Sequence, residues 1–148
     1  MSASFRPSDA AYEQRVRESF SRQGAMVHLG ATIATLEPGR CEIALPFRPE
    51  LSQQHGYFHA GVVSAIVDSA GGYAALTLFA EGSEVLTVEF KINLIAPADG
   101  ERLIAEGRVV RSGRTLTVCT GEVRSIRGET HKTCAIMQQT LMRIAAPD

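Results

Sequence analysis

The stretch Gln53–Ala75, QQHGYFHAGVVSAIVDSAGGYAA, carries one charged residue in twenty-three. Its reading decides the fold. From Ala60 to Phe79 the apolar residues Val62, Val63, Ile66, Val67, Ala70, Tyr73, Ala74, Leu76 and Leu78 cover nearly every side of a helix. A helix without a polar face has to be enclosed by the rest of the molecule. The run is about long enough to cross a bilayer. Ser64, Ser69, Gly71, Gly72 and above all Asp68 interrupt it, and a central Asp costs roughly 2.5–3.5 kcal/mol on the insertion scale. The sequence therefore predicts a helix buried by protein. An isolated buried carboxylate costs several kcal/mol unless it is paired, hydrogen-bonded or protonated. Asp68 is then either satisfied by Ser64, Ser69 or backbone, or held in place for chemistry. Gly71 and Gly72 each cost about 1 kcal/mol relative to Ala in a helix interior, which predicts a close neighbour there.

Working outward, Ser8 or Asp9 is placed to cap a first helix whose apolar stripe is Tyr12, Val16 and Phe20, with Gln23-Gly24 at its end. Strand-like runs follow at Val27–Leu36 and Cys41–Phe47, joined by the turn Glu37-Pro38-Gly39-Arg40. Beyond the central helix, Leu86, Val88, Phe90, Ile92 and Leu94 alternate with Thr87, Glu89, Lys91 and Asn93, the two-residue period of a strand. Pro97–Gly100 reads as a turn. Three more strands are expected near Arg102–Arg111, Thr115–Arg124 and Thr130–Arg143, with hairpin turns at Ser112-Gly113 and Arg127-Gly128. This order predicts an α+β fold: a curved antiparallel sheet of about six strands wrapped round a long central helix, with a short N-terminal helix. Without repeats or linkers, the chain reads as one domain over residues 1–148, the helical segment 1–24 included.

The 148 residues carry a net charge of −1, which gives no signature of a nucleic-acid partner. The leading MSASFRPSDAAYEQ has no apolar core of a secretory signal. Cys41, Cys119 and Cys134 are odd in number and match no zinc or redox motif, as expected of reduced thiols in a cytoplasmic protein. His55 and His59 have the spacing of a zinc-ligand pair, but Gly56 between them and the lack of a nearby Cys or Glu argue against a metal.

Gln53, Gly56, His59-Ala60-Gly61 and Asp68 resemble the signature of the hotdog-fold acyl-CoA thioesterases of the phenylacetate-pathway type. In that family an amide residue, a Gly and His-Gly-Gly open the central helix, and a catalytic acid lies nine residues past the His, as Asp68 does past His59. Leu86–Asn93, with Thr87 where the family carries a polar residue facing the acid, and the hairpin Gly113-Arg114-Thr115-Leu116 extend the resemblance, which runs from about Met26 onward. Gln53 stands where the usual amide is Asn, and Gln54 beside it is a second candidate for that position. Ala60 replaces the first Gly after His and keeps its N–H.

Thioester hydrolysis needs a polarised carbonyl, an attacking group and exclusion of stray water. A helix N-terminus offers unpaired N–H groups and partial positive charge for a developing oxyanion, and Ala60 and Gly61 sit there. Asp68 lies about two turns further on and cannot share one oxygen with Ala60 of its own chain. The resemblance implies a homodimer or homotetramer in which the acid of one subunit faces the His-Gly end of another, with Asp68 as general base or nucleophile. His59 reads as a general base, a site-shaping donor or a structural histidine, and the resemblance favours orientation of the loop and the thioester over proton transfer; Thr87 either holds the attacking water or is an ordinary strand Thr. Arg111, Ser112, Gly113 and Arg114 would grip the nucleotide phosphates of coenzyme A, the only cofactor-like group, brought in as part of the substrate; solvated surface arginines are the plain alternative. Tyr57, Phe58 and Tyr73 fit either an acyl pocket or ordinary core. No membrane partner is expected. Two other functions stay open: a hotdog hydratase or dehydratase, although the proline-rich motif of those enzymes is missing after His59, and a non-catalytic acyl-CoA binding module.

Overall fold

The computed structural model describes residues 4–147. Two short helices, α1 (Tyr12–Arg22) and α2 (Gly24–Leu29), precede strands β1 (Thr32–Glu37) and β2 (Arg40–Pro46). The central helix α3 (Ala60–Leu76) follows, then strands β3 (Ser83–Leu94), β4 (Arg102–Ser112), β5 (Leu116–Arg127) and β6 (Thr130–Ala145). All pairings in the six-stranded sheet are antiparallel, in the order β1-β2-β4-β5-β6-β3. Long β4, β5 and β6 form its middle, and β3 closes one edge although it follows α3 directly in the chain. The core lies between the sheet and α3, with Ile43, Leu45, Leu103, Ala105, Cys119, Val123 and Leu141 facing Val63, Ile66, Val67 and Ala70.

Three expectations change. Neither Ser8 nor Asp9 is the N-cap of α1; Ala11 holds that position without a side-chain cap. Asp9 accepts the Ala11 N–H at 2.9 Å, and the Ser8 hydroxyl donates to the Leu78 carbonyl at 3.0 Å, so both are used to tie the segment down. The strand expected from Val27 begins at Thr32, because Gly24–Leu29 coils into α2. Gly30 ends that helix at φ +81, its N–H reaching the Met26 and Val27 carbonyls, a left-handed stop that only Gly takes easily. Enclosure of α3 is also only partial. Residues 70–76 are all buried, but Ala60 and Gly61 are exposed and Ser64, Ala65, Asp68 and Ser69 are half-buried beside β3. The sheet ends at β3, so no strand covers that flank.

The far end of α3 is closed by α1. The Arg15 guanidinium donates to the carbonyls of Ala80 at 2.7 Å and Phe79 at 2.6 Å, a cation on the negative end of the helix. Thr77 seals the last turn, accepting the Gly39 N–H at 2.8 Å. The close neighbour expected at the paired glycines exists for Gly71, where a Cβ would overlap the Gln139 carboxamide; Gly72 has nothing within 4 Å of that position. Gly107 of β4 lets the strand rest directly on the α3 backbone at Ala70 and Gly71. Among the described residues no helix is long and apolar enough to cross a membrane.

Candidate active site

Asp68 leaves the open flank of α3 towards β3. Its Oδ1 accepts the Thr87 hydroxyl at 2.7 Å and the Gln139 Nε2 at 2.8 Å. The carboxylate is therefore neither isolated nor satisfied by the helical serines. Ser64 donates to the Ala60 carbonyl and Ser69 to Gln23 Oε1. The β3–β6 register shifts between Thr87 and Glu89, a bulge that falls beside the acid. Such bulges bend an edge strand and re-aim its side chains. A cavity of about 170 Å³ opens there, lined by Ser19, Gln23, Asp68, Tyr73, Glu84 and Thr87. Tyr73 turns its hydroxyl to Ser19 at 3.3 Å, and burial raises its pKa above the ordinary tyrosine value.

The other half of the predicted site lies at the helix entrance. His59 is the N-cap of α3, and its Nδ1 accepts the Gly61 N–H at 2.8 Å. A neutral His59 then carries its proton on Nε2. Gly61 is thus occupied, whereas the Ala60 N–H makes no hydrogen bond among the described residues. Gln53 is half-buried and Gln54 exposed. Gln53 Oε1 accepts the N–H groups of His55 at 2.6 Å and Tyr57 at 3.2 Å, ordering the loop that delivers His59. His55 sits in that loop rather than on the helix, so the two histidines do not share a helical face. A second cavity, about 320 Å³, is lined by Gln53, Tyr57, Phe58, His59, Ala60 and Cys134 among others. Burial pushes the Cys134 thiol up to about 11, which makes it a neutral wall of this cavity.

Within the chain these halves stay apart. Eight residues of helix separate Ala60 from Asp68, about 12 Å along the axis. The hairpin residues Arg111 and Arg114 are exposed, and neither makes an ion pair or side-chain hydrogen bond among the described residues. The Gly113 N–H is taken by the Leu116 carbonyl at 2.8 Å, so it is not free for a phosphate. Register places the hairpin in the row of the acid: Ser112 pairs with Thr117, Thr117 with Leu141, and Leu141 with Thr87. A larger groove of about 500 Å³, lined by Lys91, Glu106, Arg108, Thr120 and Glu122, lies on the opposite face of the sheet and holds none of the candidate catalytic or coenzyme A-binding residues.

Gln139 is the site residue that sequence reasoning missed. Its only trace in the sequence was Gly71, whose absent side chain makes room for it.

A sheet curled round one helix, an acid on the exposed flank of that helix and a histidine-capped entrance together define the hotdog thioesterase class. Residues 55–131 match the thioesterase superfamily, and the chain belongs to that superfamily. The crystal structure of a thioesterase family protein from Silicibacter pomeroyi is 50% identical, with a TM-score of 0.89 over 91% of this chain and 99% of that one. A relative in Saccharolobus solfataricus, provisionally named an esterase, is 32% identical over 68% of this chain and 71% of its own length. The PaaI protein from the phenylacetic acid degradation operon of E. coli, 20% identical with a TM-score of 0.81 over 91% of this chain and 94% of that one, shares the fold.

Proposed function

We propose that the protein hydrolyses a coenzyme A thioester to free acid and coenzyme A, in a site built by two protomers. The observation that supports this best is the division of the α3 flank. Asp68, held by Thr87 at 2.7 Å, opens on one cavity, while the free Ala60 N–H opens beside another. A reacting carbonyl needs its attacking group and its oxyanion donor each within about 3 Å. An axial gap of about 12 Å denies that to one chain. Two copies joined along β3 with their α3 helices antiparallel would set Asp68 of one beside Ala60 of the other.

In that site the free Oδ2 of Asp68 takes a proton from water as the water oxygen bonds to the carbonyl carbon, or attacks that carbon itself. The Ala60 N–H and the positive end of α3 stabilise the oxyanion. Collapse breaks the C–S bond, and the coenzyme A thiolate leaves and is protonated; on the second route the acyl-Asp68 anhydride left behind is then hydrolysed by water, which releases the free acid and restores the carboxylate. His59 holds the helix entrance in register and is not the base. Arg111 and Arg114 meet the nucleotide phosphates of coenzyme A, the only cofactor-like group involved. Three buried, unpaired cysteines support a reducing, cytoplasmic setting.

Free-thiol release from acetyl, medium-chain, long-chain and aromatic coenzyme A esters tests the reading. Turnover of at least one class is expected, and no release from any of them overturns it.

A further inference from the structure

We infer that Gln139 is a positioning residue for the proposed acid: it fixes which oxygen of Asp68 is free to react. This rests on the assignment of Asp68 above and adds a residue to it. Gln139 lies on β6, is 1% exposed, and is separated from Asp68 by 71 positions. Its Nε2 donates to Asp68 Oδ1 at 2.8 Å and lies 3.4 Å from the Asp68 backbone carbonyl. Thr87 donates to the same Oδ1 at 2.7 Å. With two donors on Oδ1, the carboxylate cannot rotate freely about its Cβ–Cγ bond, and Oδ2 is left without a partner among the described residues, on a side chain that lines the cavity.

The arrangement is built at a cost, which separates it from incidental packing. The buried Gln139 Oε1 has no hydrogen-bond partner among the described residues, and leaving such a carbonyl unsatisfied is unfavourable. The amide cannot be turned round to relieve it, because its oxygen would then face the Asp68 carboxylate. Gly71, in the interior of α3, leaves space that any side chain would fill with atoms overlapping that oxygen. A helix glycine and an orphaned carbonyl are thus both tolerated in order to aim one N–H at Asp68. An apolar side chain at position 139 would remove the orphaned carbonyl and the need for an amide donor, so packing alone gives no reason for Gln.

Gln139→Met keeps length and flexibility but removes the donor; Gln139→Leu does the same with a different shape, should one of the two pack badly. The experiment measures kcat and KM for thiol release, melting temperature, and a double-mutant cycle with Asp68→Asn. Loss of a hydrogen bond to a charged group predicts kcat down by about 10–100-fold, KM within about threefold, and no fall in melting temperature. In the Asp68→Asn background the same substitution should cause no further loss, because there is no reactive oxygen left to aim. Wild-type kcat in both Gln139 variants, a rise in KM alone, or an equal proportional loss in the Asp68→Asn background would each overturn the inference while leaving Asp68 in place. Full activity of Asp68→Asn by itself would remove the acid, and the role of Gln139 with it.

Discussion

Along α3, two residues with similar claims on the chemistry separate by their bonds. His59 spends Nδ1 on the Gly61 N–H at 2.8 Å, the bond of an N-cap, whereas one oxygen of Asp68 has no partner among the described residues. His59→Asn should therefore retain the cap, the melting temperature and most of kcat. A loss as deep as that of Asp68→Asn would instead make His59 a proton carrier. Asp68→Asn can keep both hydrogen bonds by presenting its carbonyl to Thr87 and Gln139, with its amide nitrogen in the cavity. Thiol release should fall by roughly 10²–10⁴-fold, the range for positioned acid–base groups. The melting temperature should move little, because the charge is not buried in isolation. Normal turnover with a lower melting temperature would mean a structural Asp68. Strand alternation alone grouped Thr87 with Glu89, Lys91 and Asn93; the pairing of Asp68 with Thr87 was legible only through the family resemblance, which sets a polar strand residue opposite the acid. Gln139 was not: across 71 positions only strand register brings it to the acid, and register is set by bulges and turns that composition does not spell out.

At the scale of elements, β2 to β6 and the central helix follow from periodicity and turn residues, within a few residues at each end. The misreading lies where short apolar runs are ambiguous. Met26, Val27 and Leu29 fit a strand as well as a helix, and only the left-handed Gly30 resolves them into α2. Enclosure of α3 was overestimated because helix composition records how apolar each face is and not which flank the sheet leaves open. The β4–β5 hairpin gives an element-level test. Its side chains Arg111 and Arg114 are uncommitted, so Arg111→Ala or Arg114→Ala should raise KM for coenzyme A esters more than it lowers kcat. The effect should weaken with salt and vanish for substrates with only the pantetheine arm. Equal losses on both kinds of substrate would exclude nucleotide contact.

For the whole molecule the deciding feature is the β3 edge. Among the described residues it pairs only with β6, and it runs for 12 residues and exposes Leu86 (56%), Val88 (56%), Phe90 (43%) and Leu94 (52%). A long apolar edge left open invites uncontrolled pairing, and a second copy of the same edge covers it with a closed two-fold contact. The proposed shared site adds a functional demand for the same contact, so subunit exchange tests both together. Asp68→Asn removes the acid. Ala60→Pro removes the oxyanion donor with little disturbance, because Pro suits the first helical position and His59 already has the extended backbone, φ −64 and ψ 140, that precedes Pro. Each variant alone should lose at least about 100-fold in kcat. After mixing and random exchange, half the dimers are mixed, and each holds one site with both lesions and one with none. Activity should then return to about one quarter of wild type. If acid and helix entrance served the same chain's site, every site in the mixture would keep a lesion, and verified exchange would restore nothing.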